Sequence, residues 1–304
     1  MSQHSHDVLV IGEGVSGLTA ARELARAGLK VATFEAQLFG GLVINVNELE
    51  PAPDARKVGG AELASELMQE NGELGVESIQ EEVTGIRDGG DMKKIETAGG
   101  AYDARALVIA SGARLRKLGV PGEAEFEGRG VSQCADCDGP MYQNEEVVVV
   151  GGGDSALQEA LVLANFCRKV HLVHHSERFR ARPHFVEQVA AQPKIASALN
   201  ASVEMIEGSR MVEGVRVKHN DGRSQNIACA GVFAYIGLAP NGGYLPEEIT
   251  RDADGFVTTA ASLETALPGV YAIGAVRSGY KGLLSDAIGE ANRAAHAIRA
   301  RLMK

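Results

Sequence analysis

Basic residues are outnumbered in this chain, cysteine is rare, and tryptophan is absent. The 30 Lys and Arg face 40 Asp and Glu, which gives a formal net charge of −10. That balance argues against nucleic acid or an anionic membrane surface as a partner. No run of apolar residues approaches the ~18 that a membrane-spanning helix needs. The first residues, MSQHSHD, also lack the basic and apolar regions of a signal peptide, so we expect a cytoplasmic protein.

Two of the four cysteines stand together in the segment CADCDGP, as Cys134 and Cys137. Structural disulfides are rare in the cytoplasm, so a Cys-x-x-Cys pair there favours redox chemistry or metal binding. A zinc site would need two more ligands with suitable spacing. Cys167 and Cys229 each stand alone in apolar surroundings, which is typical of buried small side chains. We therefore expect no metal, and the pair is either a redox dithiol or a chance spacing.

A glycine-rich turn near the N-terminus has the pattern of a dinucleotide-binding motif. An apolar run that ends at Ile11 is followed by Gly12-x-Gly14-x-x-Gly17 and then by helical periodicity. Gly12 allows the tight turn, Gly14 lets the backbone approach a pyrophosphate, and Gly17 packs the helix against the strand. Glu35 ends the next apolar run, 18 residues after Gly17, where a carboxylate accepts from ribose hydroxyls. The motif predicts a nucleotide with an unmodified ribose.

The same pattern recurs in the middle of the chain. An apolar run up to Val150 leads into Gly151-x-Gly153-x-x-Ala156, in which alanine is a permitted variant of the third glycine. A count of 18 residues past Ala156 reaches His174 instead of an acid. Basic residues at this point can hold the 2′-phosphate of NADP. The candidates for that contact are His174, His175, Ser176, Arg178 and Arg180.

Two nucleotide motifs of different type predict a flavoprotein that takes hydride from a nicotinamide. The length of 304 residues favours two domains. We expect an α/β fold with two Rossmann-like domains, the second inserted into the first. The last strand, expected over 269–275, and the final helix cannot bury their apolar faces alone, so we expect them to complete the first domain. The second domain is therefore an insertion in the first. The predicted bounds are 1–116 with 241–304 for the FAD-binding domain, and 117–240 for the NAD(P)H-binding domain with the Cys-x-x-Cys pair.

Four segments, spread over essentially the whole chain, together form the pattern of a known family. They are GEGVSGLTAA, LVIASGARLRKLGVPGEAEFEGRGVSQCADCDGPMY, VVVVGGGDSALQEA and LPGVYAIGA. In order and spacing they resemble the bacterial low-molecular-weight thioredoxin reductases. The resemblance implies an FAD-dependent NAD(P)H:disulfide oxidoreductase with NADPH as donor and NADH as the alternative. It also implies a homodimer whose partner is thioredoxin or another small disulfide-containing protein or dithiol.

The resemblance assigns roles around the dithiol. By analogy, Cys137 accepts electrons from the flavin, Cys134 attacks the substrate disulfide, and Asp138 donates and accepts the proton. These roles suit the residues because exchange proceeds through a thiolate and a nearby carboxylate can carry the proton. Contacts with the flavin are implied for five further residues, which are Gly40, Gly41, Gly112, Gly274 and Ala275.

The sequence departs from the family pattern at both nucleotide sites. The family's Gly-Asp, whose carboxylate holds the flavin ribityl chain, reads Gly-Ala at 274–275. Its Gly-Gly-Gln-Leu reads GGLV at 40–43, and its His-Arg-Arg phosphate grip reads HHS at 174–176. Two alternatives therefore stay open. One is a relative that serves another dithiol, such as a lipoyl group, a peroxiredoxin or a biosynthetic disulfide, and the other is a redox sensor with weakened flavin binding.

Overall fold

The computed structural model describes residues 5–46, 49 and 58–303. It divides into two compact units: Met1–Arg114 with Ala239–Lys304, and Leu115–Leu238. Both crossings between the units lie two residues before the predicted bounds, at 114 against 116 and at 238 against 240. Each unit contains a sheet built on parallel strands with helices packed on it, and this confirms the predicted α/β class.

The elements alternate between strands and helices in the manner of nucleotide-binding folds. The strands are β1 (Ser5–Ile11), β2 (Val31–Phe34), β3 (Glu77–Ile79), β4 (Val83–Gly89), β5 (Met92–Thr97), β6 (Gly100–Ile109), β7 (Ala113–Leu115), β8 (Val131–Ser132), β9 (Glu146–Gly151), β10 (Lys169–Val173), β11 (Ile195–Ala198), β12 (Ala201–Gly208), β13 (Val212–His219), β14 (Ser224–Ala228), β15 (Gly231–Tyr235), β16 (Leu238–Pro240) and β17 (Val270–Ala272). The α-helices are α1 (Val15–Arg26), α2 (Gly60–Glu73), α3 (Ala135–Asp138), α4 (Asp154–Phe166), α5 (Pro183–Ala191) and α6 (Leu284–Leu302).

The sheet of the first unit is built around β1, which pairs in parallel with β2 and with β6. β3 extends it beyond β2, while β17 pairs with the end of β6 and the antiparallel β5 with its beginning. Val8 and Val10 pack with α1 and α6, whereas Leu9 and Ile11 pack on the opposite face. Residues 8–11 of β1 are apolar without alternation because both faces of the strand are buried there.

The second unit repeats this plan with a parallel sheet of order β11-β10-β9-β15-β8. Val147 and Val149 of β9 pack against α4, while Val148 and Val150 pack against a separate antiparallel sheet of β12, β13 and β14. The antiparallel sheet was not predicted from the sequence, because its strands alternate buried and exposed residues and lack long apolar runs. It covers the face of the parallel sheet that α4 leaves open.

The last strand of the first unit is shorter than the sequence indicated. β17 ends at Ala272, and Gly274–Val276 form a 3-10 turn that begins with Gly274 at φ +70°. That left-handed conformation cannot continue a strand, and this ends the pairing with β6. None of the helices in the described ranges combines the length and apolarity that crossing a bilayer requires.

Leu163 lies on the buried face of α4 and is fully enclosed. We expect Leu163→Ala to lower the free energy of unfolding by about 2–5 kcal/mol, because a cavity replaces the side chain. Asn165→Ala, on the exposed face of the same helix, should change it by less than about 0.5 kcal/mol. Urea unfolding followed by far-UV circular dichroism measures both changes. Equal midpoints for the two variants would contradict this packing of α4.

Candidate redox and nucleotide-binding sites

The turn after β1 needs glycines because the neighbouring backbone leaves no room for side chains. A Cβ at Gly12 would lie 2.4 Å from the carbonyl oxygen of Ala110. A Cβ at Gly17 would lie 1.9 Å from the carbonyl oxygen of Gly12. At Gly14 the nearest atom would be the Gly40 oxygen at 3.9 Å, so the turn is open there. Gly14 is also the N-cap of α1 and brings no side chain to the first helical turn. The first amides of α1 can therefore receive a pyrophosphate.

The carboxylate of Glu35 is oriented beside this turn. Its Oε2 accepts from the backbone N–H of Glu13 at 3.0 Å, and its Oε1 accepts from that of Gln37 at 3.0 Å. Glu13 is buried, and its Oε1 accepts hydroxyl hydrogen bonds from Thr33 at 2.5 Å and Ser78 at 2.6 Å. Each carboxylate oxygen of Glu35 keeps a lone pair that a ribose hydroxyl can use.

Three further predicted flavin residues lie on neighbouring loops of the first unit. The Gly40 N–H donates to the carbonyl of Glu13 at 2.7 Å, and a Cβ at Gly41 would lie 3.5 Å from Cα of Gly14. Gly112 follows β6 with φ +66°, and its carbonyl accepts from a backbone N–H at 3.0 Å. The fold thus brings Gly40 and Gly41 to the first glycine turn and leaves Gly112 at the end of the adjacent strand.

Ala275 lies in the 3-10 turn that faces the start of α1. A Cβ on the preceding Gly274 would lie 2.3 Å from Oγ of Ser16. The Gly274 N–H donates to Oε2 of the buried Glu290 at 2.8 Å, and Oε1 of Glu290 pairs with Arg277. An ion pair between the buried Glu290 and the half-buried Arg277 therefore supports the segment in which the family carries its aspartate.

The turn after β9 is built like the first one. A Cβ at Gly151 would lie 2.3 Å from the carbonyl oxygen of Tyr235 and 2.8 Å from Cβ of Ala156. At Gly153, the N-cap of α4, a Cβ would have no heavy atom within 4 Å. The first turn of α4 is accordingly open to a second pyrophosphate.

His174 lies beneath the second turn and is buried. A Cβ on Gly152 would lie 2.3 Å from its ring, and the ring stacks on Phe179 with centroids 5.6 Å apart. Nε2 donates to the carbonyl of Arg178 at 3.1 Å. Burial lowers the pKa of His174, and the nearby His175 lowers it further. A buried, neutral imidazole supports the turn and is poorly suited to direct contact with a phosphate.

The side chains of His175, Arg178 and Arg180 are exposed, and Ser176 is half-buried. Nη2 of Arg180 lies 3.4 Å from Nε2 of His175. The backbone N–H of Arg180 donates to the carbonyl of Gly152 at 2.7 Å, which ties the basic segment to the glycine turn. The structure therefore gathers an exposed guanidinium and an imidazole at the end of β10.

Arg182 is a further basic residue at this turn, and the motif did not single it out. Its N–H donates to Oδ1 of Asp154 at 2.7 Å, and its Nε donates to Oδ2 at 2.6 Å. Asp154 is the first residue of α4. Its pairing with Arg182 offsets a negative charge that would repel a phosphate at this helix end. The alternate spacing of arginines at 178, 180 and 182 was the signal that could have identified it.

Cys134 and Cys137 are joined by a disulfide with their Cα atoms 5.3 Å apart. Cys134 is the N-cap of the one-turn helix α3, and its Sγ accepts from the N–H of Cys137 at 3.2 Å. Cys137 is exposed and Cys134 is half-buried. The free thiols of Cys167 and Cys229 are buried, and burial raises their pKa to about 11 and about 12. The reactive thiol chemistry is therefore concentrated at the Cys-x-x-Cys pair.

Asp138 is connected to the dithiol through one hydroxyl group. The Ser132 hydroxyl donates to Oδ2 of Asp138 at 2.5 Å and accepts from the backbone N–H of Cys134 at 3.2 Å. The N–H of Asp138 also donates to the carbonyl of Cys134 at 3.1 Å. Ser132 was not recognised in the sequence, because a single serine two residues before a cysteine carries no distinctive pattern.

A second carboxyl group, that of Glu159, contacts α3. The N–H of Ala135 donates to Oε2 of Glu159 at 3.3 Å and to the hydroxyl of Tyr235 at 3.2 Å. The same Tyr235 hydroxyl donates to Oε2 of Glu159 at 3.3 Å. Burial raises the pKa of Glu159, and the negative charge of Asp136 raises it further. Only the fold joins these residues, since they lie on α3, α4 and β15.

Known proteins resemble this chain along nearly its whole length. The pyridine nucleotide-disulphide oxidoreductase family matches residues 6–299. The thioredoxin reductase of Treponema pallidum is 36% identical over 294 residues, which cover 96% of this chain and 95% of that protein. The thioredoxin reductase of Mycolicibacterium smegmatis is 37% identical over 276 residues, with 90% and 89% covered.

Solved structures show the same relationship. The thioredoxin reductase of Lactococcus lactis superposes with a TM-score of 0.93 at 34% identity, over 98% of this chain and 99% of that one. The thioredoxin reductase of T. acidophilum gives a TM-score of 0.91 at 29% identity, with 99% and 100% covered. Together with the dithiol and the two glycine turns, these matches show that the chain belongs to the pyridine nucleotide-disulphide oxidoreductase family, as a member of the thioredoxin reductase type.

Proposed function

We propose that this protein transfers electrons from NADPH through FAD and the Cys134–Cys137 pair to the disulfide of thioredoxin. The observation that carries this function is the accessible disulfide on α3, with the carboxylate of Asp138 linked to it through Ser132. Relatives that are 36% and 37% identical over 90% or more of this chain are thioredoxin reductases. In this proposal the dithiol reduces the substrate disulfide, and the two glycine turns bind the nucleotides.

The two open glycine turns fit two dinucleotides, because each leaves the first amides of a long helix uncovered. The residues proposed to hold FAD are Gly12, Gly14, Gly17, Glu35, Gly40, Gly41, Gly112, Gly274 and Ala275. The residues proposed to hold NADPH are Gly151, Gly153, Ala156, His174, His175, Ser176, Arg178 and Arg180, with His174 acting as support for the turn. FAD, when bound, supplies hydride acceptance from the nicotinamide and two-electron reduction of a disulfide.

Substrate reduction by the dithiol is a thiol–disulfide exchange. The thiolate of Cys134 attacks one sulfur of the substrate disulfide, forms a mixed disulfide and releases the other sulfur as a thiolate. The thiolate of Cys137 then attacks Sγ of Cys134, releases the reduced substrate and restores the Cys134–Cys137 bond. Asp138 provides a proton for the departing thiolate, with Ser132 keeping the carboxylate beside the turn.

We place the enzyme in the cytoplasm, where its cysteine usage fits the reducing conditions. We also propose a homodimer, by analogy with the family, and its mass in solution can be measured by light scattering. A chain of 32.0 kDa that elutes only as a monomer would reject the dimer without affecting the proposed activity.

The activity is tested by anaerobic addition of NADPH, and separately NADH, to the yellow protein, followed by oxidised thioredoxin. Stoichiometric formation of thioredoxin thiols is expected with NADPH.

The altered flavin segment at Ala275 favours a second candidate function, reduction of a different disulfide such as a lipoyl group or a peroxiredoxin. Slow transfer to thioredoxin together with rapid transfer to one of these substrates would select that candidate. A colourless protein that oxidises no NADPH would instead indicate a redox sensor.

The two cysteines should be separable by trapping. Cys134→Ser and Cys137→Ser should both abolish NADPH-dependent thioredoxin reduction, because exchange needs both thiols. Only Cys137→Ser should accumulate a covalent complex with thioredoxin, since its attacking thiol is intact and its resolving thiol is missing. Non-reducing electrophoresis detects the complex. Cys167→Ala, which removes a buried thiol, is the control and should keep full activity. Trapping by Cys134→Ser alone would reverse the assigned roles.

Arg180 should decide the preference for NADPH. Its guanidinium is exposed beside His175, where a 2′-phosphate can receive charged hydrogen bonds. We expect Arg180→Ala to raise KM for NADPH about tenfold or more, as for loss of one charged hydrogen bond, and to change KM for NADH much less. Arg210→Ala, exposed in the same unit, is the matched control. Equal increases in both KM values would make this an unmodified-ribose site.

A further inference from the structure

The one-turn helix that carries the dithiol is held at two successive backbone amides, and each leads to a carboxyl group. The amide of Cys134 reaches Asp138 through the Ser132 hydroxyl. The amide of Ala135 reaches Glu159 directly, at 3.3 Å. Asp138 lies on the same short helix as the dithiol, whereas Glu159 lies on α4, the helix that begins at the second glycine turn. Glu159 has no part in the exchange steps described above.

The Ala135 amide, the Glu159 carboxyl group and the Tyr235 hydroxyl form a closed triangle of hydrogen bonds. Its hydroxyl accepts from the N–H of Ala135 at 3.2 Å and donates to Oε2 of Glu159 at 3.3 Å. Ala135 is fully buried, and both Ala135 and Tyr235 belong to the hydrophobic cluster beneath α4. The triangle therefore fixes the amide immediately after Cys134 in surroundings from which most water is excluded, where electrostatic effects are strong.

We propose that Glu159 is a positioning residue which, together with Tyr235, holds the first turn of α3 and sets the nucleophilicity of the Cys134 thiol by its charge. The proposal rests on the proposed function for its biological meaning, but the chemistry belongs to the dithiol itself. A negative charge on Glu159 opposes formation of a nearby thiolate, so it raises the pKa of the Cys134 thiol. A neutral Glu159 removes that opposition while its oxygen still accepts from Ala135.

The surroundings of Glu159 shift its pKa upward and so favour its neutral form. Burial and then the charge of Asp136 raise its pKa, while the hydrogen bonds from Ala135 and Tyr235 oppose part of this rise. The groups that act on it are thus Asp136 and the Ala135 amide on α3 and the hydroxyl of Tyr235 on β15. As the pH falls through the raised pKa of Glu159, the carboxyl becomes neutral and the Cys134 thiolate is favoured. Part of the loss of Cys134 thiolate that a falling pH causes is thereby offset.

The pH dependence of Cys134 alkylation tests this coupling in the full-length, FAD-loaded protein. The dithiol is reduced anaerobically with dithiothreitol, freed of reductant and treated with iodoacetamide, and mass spectrometry follows the Cys134 peptide. In the unaltered protein, the logarithm of the rate should rise less steeply with pH across the range in which Glu159 ionises. Glu159→Gln keeps an acceptor for Ala135 without the charge. It should restore the full slope. Between that range and the pKa of the thiol it should raise the rate about twofold, as expected for a thiol pKa lowered by about half a unit.

Two further variants separate the charge from a general structural effect. Tyr235→Phe removes a donor to the Glu159 carboxylate, so the shallow part of the profile should move to higher pH. Glu187→Gln, which removes an exposed carboxylate on α5, should leave the profile unchanged. A Glu159→Gln profile that superimposes on that of the unaltered protein would overturn the proposal, as would the same change in Glu187→Gln. Failure of the proposed function would show separately, as absent NADPH-dependent thioredoxin reduction with the alkylation profile intact.

Discussion

The contact between a strand end and the start of the following helix is the constraint on which both units depend. At Gly17 a Cβ would approach the Gly12 carbonyl oxygen to 1.9 Å, and at Gly151 it would approach Cβ of Ala156 on α4 to 2.8 Å. These distances are shorter than any van der Waals contact, so a side chain would push the helix away from the sheet. The close approach leaves the first amides of α1 and α4 uncovered at the sheet edge, where a nucleotide phosphate can bind.

The second strands of the two units end in different side chains, and these suit different ligands. After β2, backbone amides of Glu13 and Gln37 orient a carboxylate, Glu35, that suits ribose hydroxyls. After β10, the chain places a buried imidazole under the turn and exposes a guanidinium beside it. The same scaffold can therefore select an unmodified ribose in one unit and a phosphorylated one in the other.

The dithiol depends on the second unit for its rigidity as well as for its location. A helix of one turn has too few internal hydrogen bonds to be stable alone. Here the amides of Cys134 and Ala135 are bound by Ser132 and by the Glu159–Tyr235 pair, and the buried Ala135 packs in the cluster beneath α4. The helix that begins at the second glycine turn, α4, therefore also contacts the dithiol turn, through the carboxyl group of Glu159.

The α/β class, both glycine turns, the acid at Glu35 and the redox pair could be predicted from the sequence, because each depends on residues close together in the chain. Local spacing is sufficient where a turn admits only glycine or where two cysteines share one helical turn. The antiparallel sheet of β12 to β14, the burial of His174 and the hydrogen bonds of Glu159 were decided by the tertiary structure. Whether a polar side chain lies under a turn or above it, and which distant amide it meets, depends on how strands and helices pack. Periodicity along one segment carries no information on that packing.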